Sequence, residues 1–435
     1  MNGTAADTLL DLNNTDITKL WPMEICSKVS TDLANRRSQC DLPAQSFVFP
    51  DTYFTRLKMS NKRPLSYASL KCLIERMSPD LRLILIQKCP GIRNVERTTP
   101  LKLDLIEIDR DILRINQTTY QLTVIQSDAT TDQDIRESSI FDDGFNYDVD
   151  DFGVKDVKTE NEETPGDVLI GEQWEWHNNN EIQLNIKENK KQMKKGHKPT
   201  CAFHIQLVIT FPNGKRWIER VEYCNKLRDA KKYLSTKLLG GRPYTIQTNR
   251  FIISAKTMHR LPLNIKIRPR HLETFFNQNT CLTTLKTILD MKDTHLESIS
   301  LGTPVSFIDP LILNAKRLNL SESALKFGRM NCPHPRVHIT SNWTSEEDMM
   351  PFLEELLENG RPSGTWYSVA TYRRIRETWF INQCRQHRKR VRQDEPSDSV
   401  ILSVSDTSKL FINCVPASSP DLEEIAIINF KFLAN

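Results

Sequence analysis

Nowhere in the 435 residues does an apolar run approach the roughly 18–20 residues that a membrane-crossing helix needs, so no helical membrane span is expected. The opening stretch, Met1 to Asp11, is polar and lacks a basic segment followed by an apolar core, so a secretory leader is not expected. Charge of one sign is also missing. Lys+Arg 59 against Asp+Glu 55 leaves a net charge of +4, too near balance to mark a nucleic-acid binder by itself. The ten cysteines contain no C-x-x-C pair and read as reduced thiols, several of them in cores. There is no G-x-G-x-x-G, no Walker loop, no H-E-x-x-H and no G-x-S-x-G. These absences lead us to expect an intracellular chain, cytoplasmic or nuclear, that is not an enzyme and holds no cofactor.

What is present is ample length for two to four domains and a mean hydropathy of -0.48, which leaves room for a solvated segment. From residue 64 the pattern sharpens. Leu70, Leu73, Ile74 and Met77 fall at i, i+3, i+4 and i+7, one face of a helix, with Ser66 as its cap. Ser78-Pro79 opens a second helix, since proline at the first helical position loses no hydrogen bond, and Leu81, Ile84, Leu85 and Ile86 carry it to Pro90-Gly91. Leu101-Leu103-Leu105, Leu113-Ile115 and Tyr120-Leu122-Val124 then alternate as a short antiparallel meander. Between 126 and 199 acidic blocks give way to Lys190-Lys191 and Lys194-Lys195 with few apolar residues, the signature of a disordered insert.

Order resumes near 200. Phe203, Ile205, Leu207, Ile209 and Phe211 alternate, Pro212-Asn213-Gly214 turns, and Trp217, Val221 and Tyr223 return as a hairpin. Asn225 is placed to cap a helix through Leu227, Ala230, Leu234 and Leu238, closed by Gly240-Gly241. Strand-like Ile252-Ile253, Leu263-Ile265-Ile267, Leu296-Ile299-Leu301 and Leu318-Leu320 alternate with helical stretches, which reads as irregular stacking of the leucine-rich-repeat kind. Thr344 with Glu347 opens a further helix ended by Asn359-Gly360. The expected class is α/β (α+β). Residues 1–63 form a poorly defined segment, 64–125 a small helical unit with its meander, 126–199 the insert, and 200–435 one leucine-rich α/β module.

Two clusters have some metal-ligand character: His197, Cys201 and His204, and Cys332, His334 and His338. Each is one ligand short of a structural zinc site, so no metal is expected. The run Arg385, His387, Arg388, Lys389, Arg390, Arg392 could serve nuclear localisation or phosphate contact, but reads first as a solvated helix end favoured by the helix dipole.

Pro64-Leu65-Ser66-Tyr67-Ala68-Ser69-Leu70-Lys71-Cys72, then Lys88-Cys89-Pro90 and Pro100-Leu101-Lys102-Leu103, resemble the opening module of the nematode-expanded F-box-C family. Ile218-Glu219-Arg220-Val221-Glu222-Tyr223, Leu261-Pro262-Leu263-Asn264-Ile265-Lys266 and Asn359-Gly360-Arg361-Pro362-Ser363-Gly364-Thr365 are similar to its associated region, a domain of unknown function. The resemblance implies a substrate-recognition subunit of a cullin-RING ubiquitin ligase, docking on a Skp1-type adaptor and holding a protein target. Its adaptor-binding candidates are Pro64, Leu65, Leu70, Leu73, Ile74, Met77 and Leu81. The sequence departs from the F-box pattern in its reversed proline and leucine and in the lack of a tryptophan after Cys89. A free-standing protein-binding scaffold therefore stands beside the ligase reading, with a nucleic-acid binder third.

Overall fold

The computed structural model describes residues 66–127, 144–150, 153, 155–156, 162–170, 202–274, 279–292, 295–302, 307, 309–321, 332–340, 346–372, 374–391, 396–416 and 425–435. The helices are α1 Tyr67–Arg76, α2 Pro79–Lys88, α3 Arg93–Arg97, α4 Leu227–Leu239, α5 Asn279–Leu285, α6 Pro310–Leu313, α7 Glu346–Asn359 and α8 Arg374–Gln386. The first strands are β1 Lys102–Ile108, β2 Ile112–Ile115, β3 Thr118–Ser127, β4 Val168–Leu169, β5 Ala202–Thr210, β6 Arg216–Glu222, β7 Ile246–Ile253 and β8 Met258–His259. There follow β9 Ile267–Thr274, β10 Ser298–Leu301, β11 Leu318–Ser321, β12 Arg336–Thr340, β13 Trp366–Tyr372, β14 Ser399–Ser405, β15 Ser408–Pro416 and β16 Ile425–Ala434. The mixed α/β class is as the sequence indicates.

One apolar row organises the sheet. Across paired strands the register aligns Ile115, Ile106, Phe251, Leu272, Ile299, Leu318, Val337, Tyr367, Phe430, Ile412 and Val400, every one of them buried. Alternation makes this possible, because residues two apart share a face of a strand. Each such aliphatic or aromatic side chain contributes about 1.5–3 kcal/mol by leaving water. The strand order is β14-β15-β16-β13-β12-β11-β10-β9-β7-β1-β2-β3-β5-β6. From β1 through β7, β9, β10, β11 and β12 to β13 neighbours are parallel, and from β7 onward they follow chain order. Antiparallel ribbons flank that ladder: β2-β3-β5-β6 on one side and β16-β15-β14 on the other. Helices α7 and α8 cover the apolar face, with Phe352 and Phe380 each edge-on to Phe430 at centroid distances of 5.5 and 5.9 Å.

The meander expected over 64–125 and the module expected over 200–435 share this sheet. Nine consecutive residue pairs join β3 to β5, and β1 pairs with β7. A sequence does not display such distant hydrogen-bonded edges. The expected insert is likewise crossed by structure. Residues 126–127 complete β3, Val149, Val168 and Ile170 are buried, and β4 pairs with β8. Apolar residues here are too few to show a period, but each is seated among polar anchors. Asp167 meets Arg260 at 2.6 Å and Lys232 at 2.7 Å. Burial works to raise its pKa, yet the bonds from Lys232, Thr164 and Arg260 outweigh it and hold the carboxyl below its ordinary range. Residues 171–200, with Trp174, Trp176 and the lysine pairs, lie outside the described residues.

Two local expectations are corrected. Lys226, not Asn225, stands at the N-cap of α4, and its side chain makes no cap bond. Asp148 does that work from the insert: its carboxylate accepts the Leu227 and Arg228 backbone N–H groups and the Tyr223 hydroxyl. The segment around Leu263 is a turn rather than a strand, because Asn264 adopts φ 57 and Leu263 is exposed, so β9 begins only at Ile267. The other caps follow their chemistry. Ser66 accepts from Ser69 and Ser78 from Leu81, and Gly360, at φ 58, closes α7.

Asp148→Ala should lower unfolding free energy by about 2–3 kcal/mol, since it orphans two helix-end donors and takes one partner from the half-buried Tyr223 hydroxyl, which keeps its bonds to Val149. Asp148→Asn should recover part of that in urea melts; an unchanged midpoint for the alanine variant would remove the capping role. His259, buried in β8, has its pKa pushed down to about 4 by burial, against the hydrogen bond to the Ala255 carbonyl. An unfolded imidazole takes its proton near 6.5 while the folded one refuses it until about 4, so stability falls as pH drops across that window. The loss should reach about 3 kcal/mol. Urea titrations from pH 7.5 to 4.5 should show a steeper slope in the wild type than in His259→Gln, the remainder coming from His271 and His338, whose pKa values burial also lowers. A native imidazole that titrates at its ordinary pKa by NMR would sink the prediction.

Candidate functional site

Helices α1 to α3 carry the adaptor-binding candidates and are held by charge rather than by oil alone. Arg82 lies on α2 among Leu83 and Ile86, all buried. Its guanidinium donates to Glu96 Oε1 at 3.0 Å, to the Thr99 carbonyl at 3.1 Å and to the Pro100 carbonyl at 2.9 Å. Arg242, just after α4, donates to both oxygens of the same carboxylate at 3.0 and 2.8 Å and to the Leu238 carbonyl at 3.2 Å. Glu96 is 1% exposed and each of these two arginines 4%. Arg97 completes the joint by donating to the Thr236 carbonyl. Two guanidinium groups thus meet the last carbonyls of α4, where a helix presents unpaired acceptors and the negative end of its dipole. Burial depresses the pKa of Arg82, opposed by Glu96, and that of Arg97, where Arg93 and Arg242 add to the depression.

A second seam runs through Asn116 in the β2–β3 turn, at φ 52, a left-handed conformation that asparagine tolerates. Its Oδ1 accepts the Asp104 and Leu105 N–H groups at 2.8 and 3.2 Å, while Nδ2 donates to Asp80 of α2 at 3.0 Å. The helical unit is therefore fixed to β1 and β2 as well as to α4.

On this frame the stripe divides. Ile74 is 0% exposed, and Leu70 packs half-buried against the core. Leu73, Met77 and Leu81 are half-buried, and Tyr67 is 63% exposed at the start of α1. Pro64 and Leu65 lie outside the described residues. Leu70, Leu73, Ile74 and Met77 do share one helix, as their spacing requires, but they do not share one environment. Glu96, Asp148 and Arg242 were not singled out by sequence reasoning. Their only sequence signal is a charge beside apolar residues, which solvated charges share.

The other candidates resolve into ordinary contacts. His334 accepts the Arg336 N–H at Nδ1, 3.1 Å away, and its Nε2 lies 2.8 Å from the Ala315 carbonyl. His338 bonds Ser368 Oγ at 2.8 Å. Cys332 is buried, and burial pushes its thiol up to about 11. Cys332 and His334 border a cleft of about 600 Å³ with Glu358, Arg361, Thr365 and Ser405. The thiol there stays protonated at neutral pH and is a poor nucleophile or metal ligand. His197 and Cys201 of the other cluster are outside the described residues, and among the described residues no three ligand-type side chains converge. The basic run is partly tied down. Arg385 donates to the Pro396 carbonyl, His387 meets Glu354 at 3.0 Å, and Lys389 reaches the Leu357 carbonyl near the end of α7. Among the described residues no helix is long and apolar enough to cross a membrane.

Residues 226–373 match a family described as a domain of unknown function (DUF3557). The matched segment opens at the N-terminus of α4 and closes just past β13, so it coincides with the chain-ordered parallel strands. No curated protein and no solved structure shows significant similarity to the chain.

Glu96→Ala leaves two buried guanidinium groups without their counter-ion, which should cost about 3–5 kcal/mol. Thermal melts should show the loss. A shift of less than a degree would mean that water or the carbonyls alone satisfy Arg82 and Arg242. The triple replacement of Glu96, Arg82 and Arg242 by Leu, Met and Met should be milder than Glu96→Ala, because it removes the orphaned charges together with the pair.

Proposed function

We propose that the chain is a non-enzymatic recognition subunit: a ladder that binds a protein target, joined to a degenerate F-box-like helical unit that docks on a Skp1-type adaptor of a cullin-RING ubiquitin ligase. The observation that carries this reading is the rigid joint at Glu96, which fixes α1 and α2 relative to the parallel ladder. A bridging subunit requires such a joint, since a target held by one part must be presented at a set distance from what is held by the other. The chain-ordered ladder supports the leucine-rich, stacked-repeat character, because strands that follow each other in parallel leave one long face for binding. The resemblance to the F-box-C family supports the ligase link; the DUF3557 match gives only a domain of unknown function over residues 226–373.

A free-standing scaffold is the second reading, favoured by the complete burial of Ile74 and the packing of Leu70 on the chain's own core. Amphipathic stripes commonly face their own domain. Substitutions separate the two. Ile74→Glu buries an unpaired carboxylate and should unfold the helical unit. Leu73→Glu and Met77→Glu should leave melting within a few degrees of wild type and abolish Skp1 pull-down by the purified full-length chain. Failure of the folded wild type to retain Skp1 under native conditions would discard the ligase reading in favour of the scaffold.

A further inference from the structure

On the side of the sheet opposite the apolar row, polar and apolar residues mix and the charge is uneven. Near β7, β9 and β1 the cations are matched: Arg250 holds Glu273 with bonds of 2.9 and 3.1 Å, and Arg114 holds Glu107 at 2.7 Å. Further along, beyond the Lys316–Glu297 pair at 2.8 Å, they are not matched among the described residues. Arg317 immediately precedes β11, and the Leu318–Val337 pairing sets it level with Arg336. Arg336 pairs with Trp366, Trp366 with Lys431, and Lys431 with Phe411. Arg317, Arg336 and Lys431 are exposed, and Trp366 is 43% exposed. With strands about 4.8 Å apart, Arg317 to Lys431 is a row of about 14 Å. No acidic residue of β10, β11, β12, β13, β15 or β16 stands among them. Two histidines register the resulting field. Burial lowers the pKa of His338 and Arg317 lowers it further; His271 is lowered by burial, then by Arg270 and Arg317, against the raising effect of Glu297 and Glu273.

We infer that this row is the target-docking surface and that its partner is an acidic linear protein segment, with carboxylates on Arg317 and Arg336 and an apolar side chain against Trp366 and Phe411. The inference rests on reading the ladder as a recognition module, and it adds the surface and the chemistry of the target. Charge complementarity argues for the occupant. An exposed aromatic between cations supplies apolar anchorage and carboxylate pairing together, the arrangement that interface hot spots favour. A nucleic-acid strand fits less well. Phosphate-tracking grooves rely on many cations and successive stacking rings, whereas this row offers three cations and one exposed ring.

The test is an unbiased random-peptide phage library selected on the full-length chain, with enriched peptides resynthesised and titrated. Enriched peptides should be rich in Asp and Glu beside an aromatic or aliphatic residue. Arg317→Glu with Arg336→Glu should weaken them at least about tenfold with melting unchanged, Trp366→Ala should weaken them without altering their charge preference, and added salt should weaken them too. If the double charge reversal lowers the melting temperature, Arg317→Gln with Arg336→Gln replaces it. Neutral or basic peptides, or acidic ones indifferent to both arginines, would overturn this surface while leaving the recognition reading in place. Displacement of the peptides by single-stranded DNA or RNA homopolymers through the same arginines would overturn it in favour of nucleic acid. No enrichment at all would overturn both.

Discussion

One carboxylate fixes how the helices α2 and α3 sit on the ladder, whose sheet already joins the early and late strands. Glu96 comes from a helix of five residues, Arg82 from the helix before it and Arg242 from a loop nearly 150 positions on. Taking three charges out of water is costly, and in this cluster the cations outnumber the anion. The surplus is carried by carbonyls: Thr99 and Pro100 for Arg82, and Leu238 for Arg242. Apolar surfaces in contact can slide by a fraction of a turn at little cost, whereas these bonds are made at one relative position only. The placement of α1 and α2 on the ladder is thus set by polar geometry, with apolar burial supplying most of the free energy.

The ladder depends on the same economy at its other seams. Parallel strands laid down in chain order need a closed edge at each end, or their backbone groups invite further strands. Here β1 closes the β7 side and β16 the β13 side, and both belong to antiparallel ribbons with their own hairpins. Asp148 and Asp167 then lock the segment between β3 and β5 to α4 and to Arg260. Little apolar area is available in that segment, so carboxylates with several donors each provide the anchorage.

This explains what the sequence displayed and what it hid. Local chemistry was legible. Ser66, Ser78-Pro79 and Gly360 mark helix ends because their effects act within one turn, and the 203–211 and 217–223 alternation marks a hairpin because its partner strand is adjacent. The stripe on α1 was legible as a stripe. Its division between Ile74, fully covered, and Leu73 or Met77, half-covered, was not, since a period of 3.6 shows which residues share a face and not what that face meets. Asp148 and Glu96 were hidden for the opposite reason. Each satisfies donors between about 14 and 146 positions away, and within its own neighbourhood it looks like any solvated acid. Asn225 misled because a good capping residue stood one position from the true cap, where a distant carboxylate had already taken the donors.

The extent of the DUF3557 match can be judged against these contacts. Residues 226–373 contain α4 and the chain-ordered strands from β7 to β13. They do not contain β1 or β16, which close the two edges of that ladder, nor Glu96, which neutralises Arg242, nor Asp148, which caps α4. Cut at its sequence boundaries, the matched segment would carry two open strand edges, a buried arginine without its carboxylate and a helix with orphaned N–H groups. The matched segment is therefore the chain-continuous part of a larger hydrogen-bonded sheet, whose edges are closed by strands from outside it.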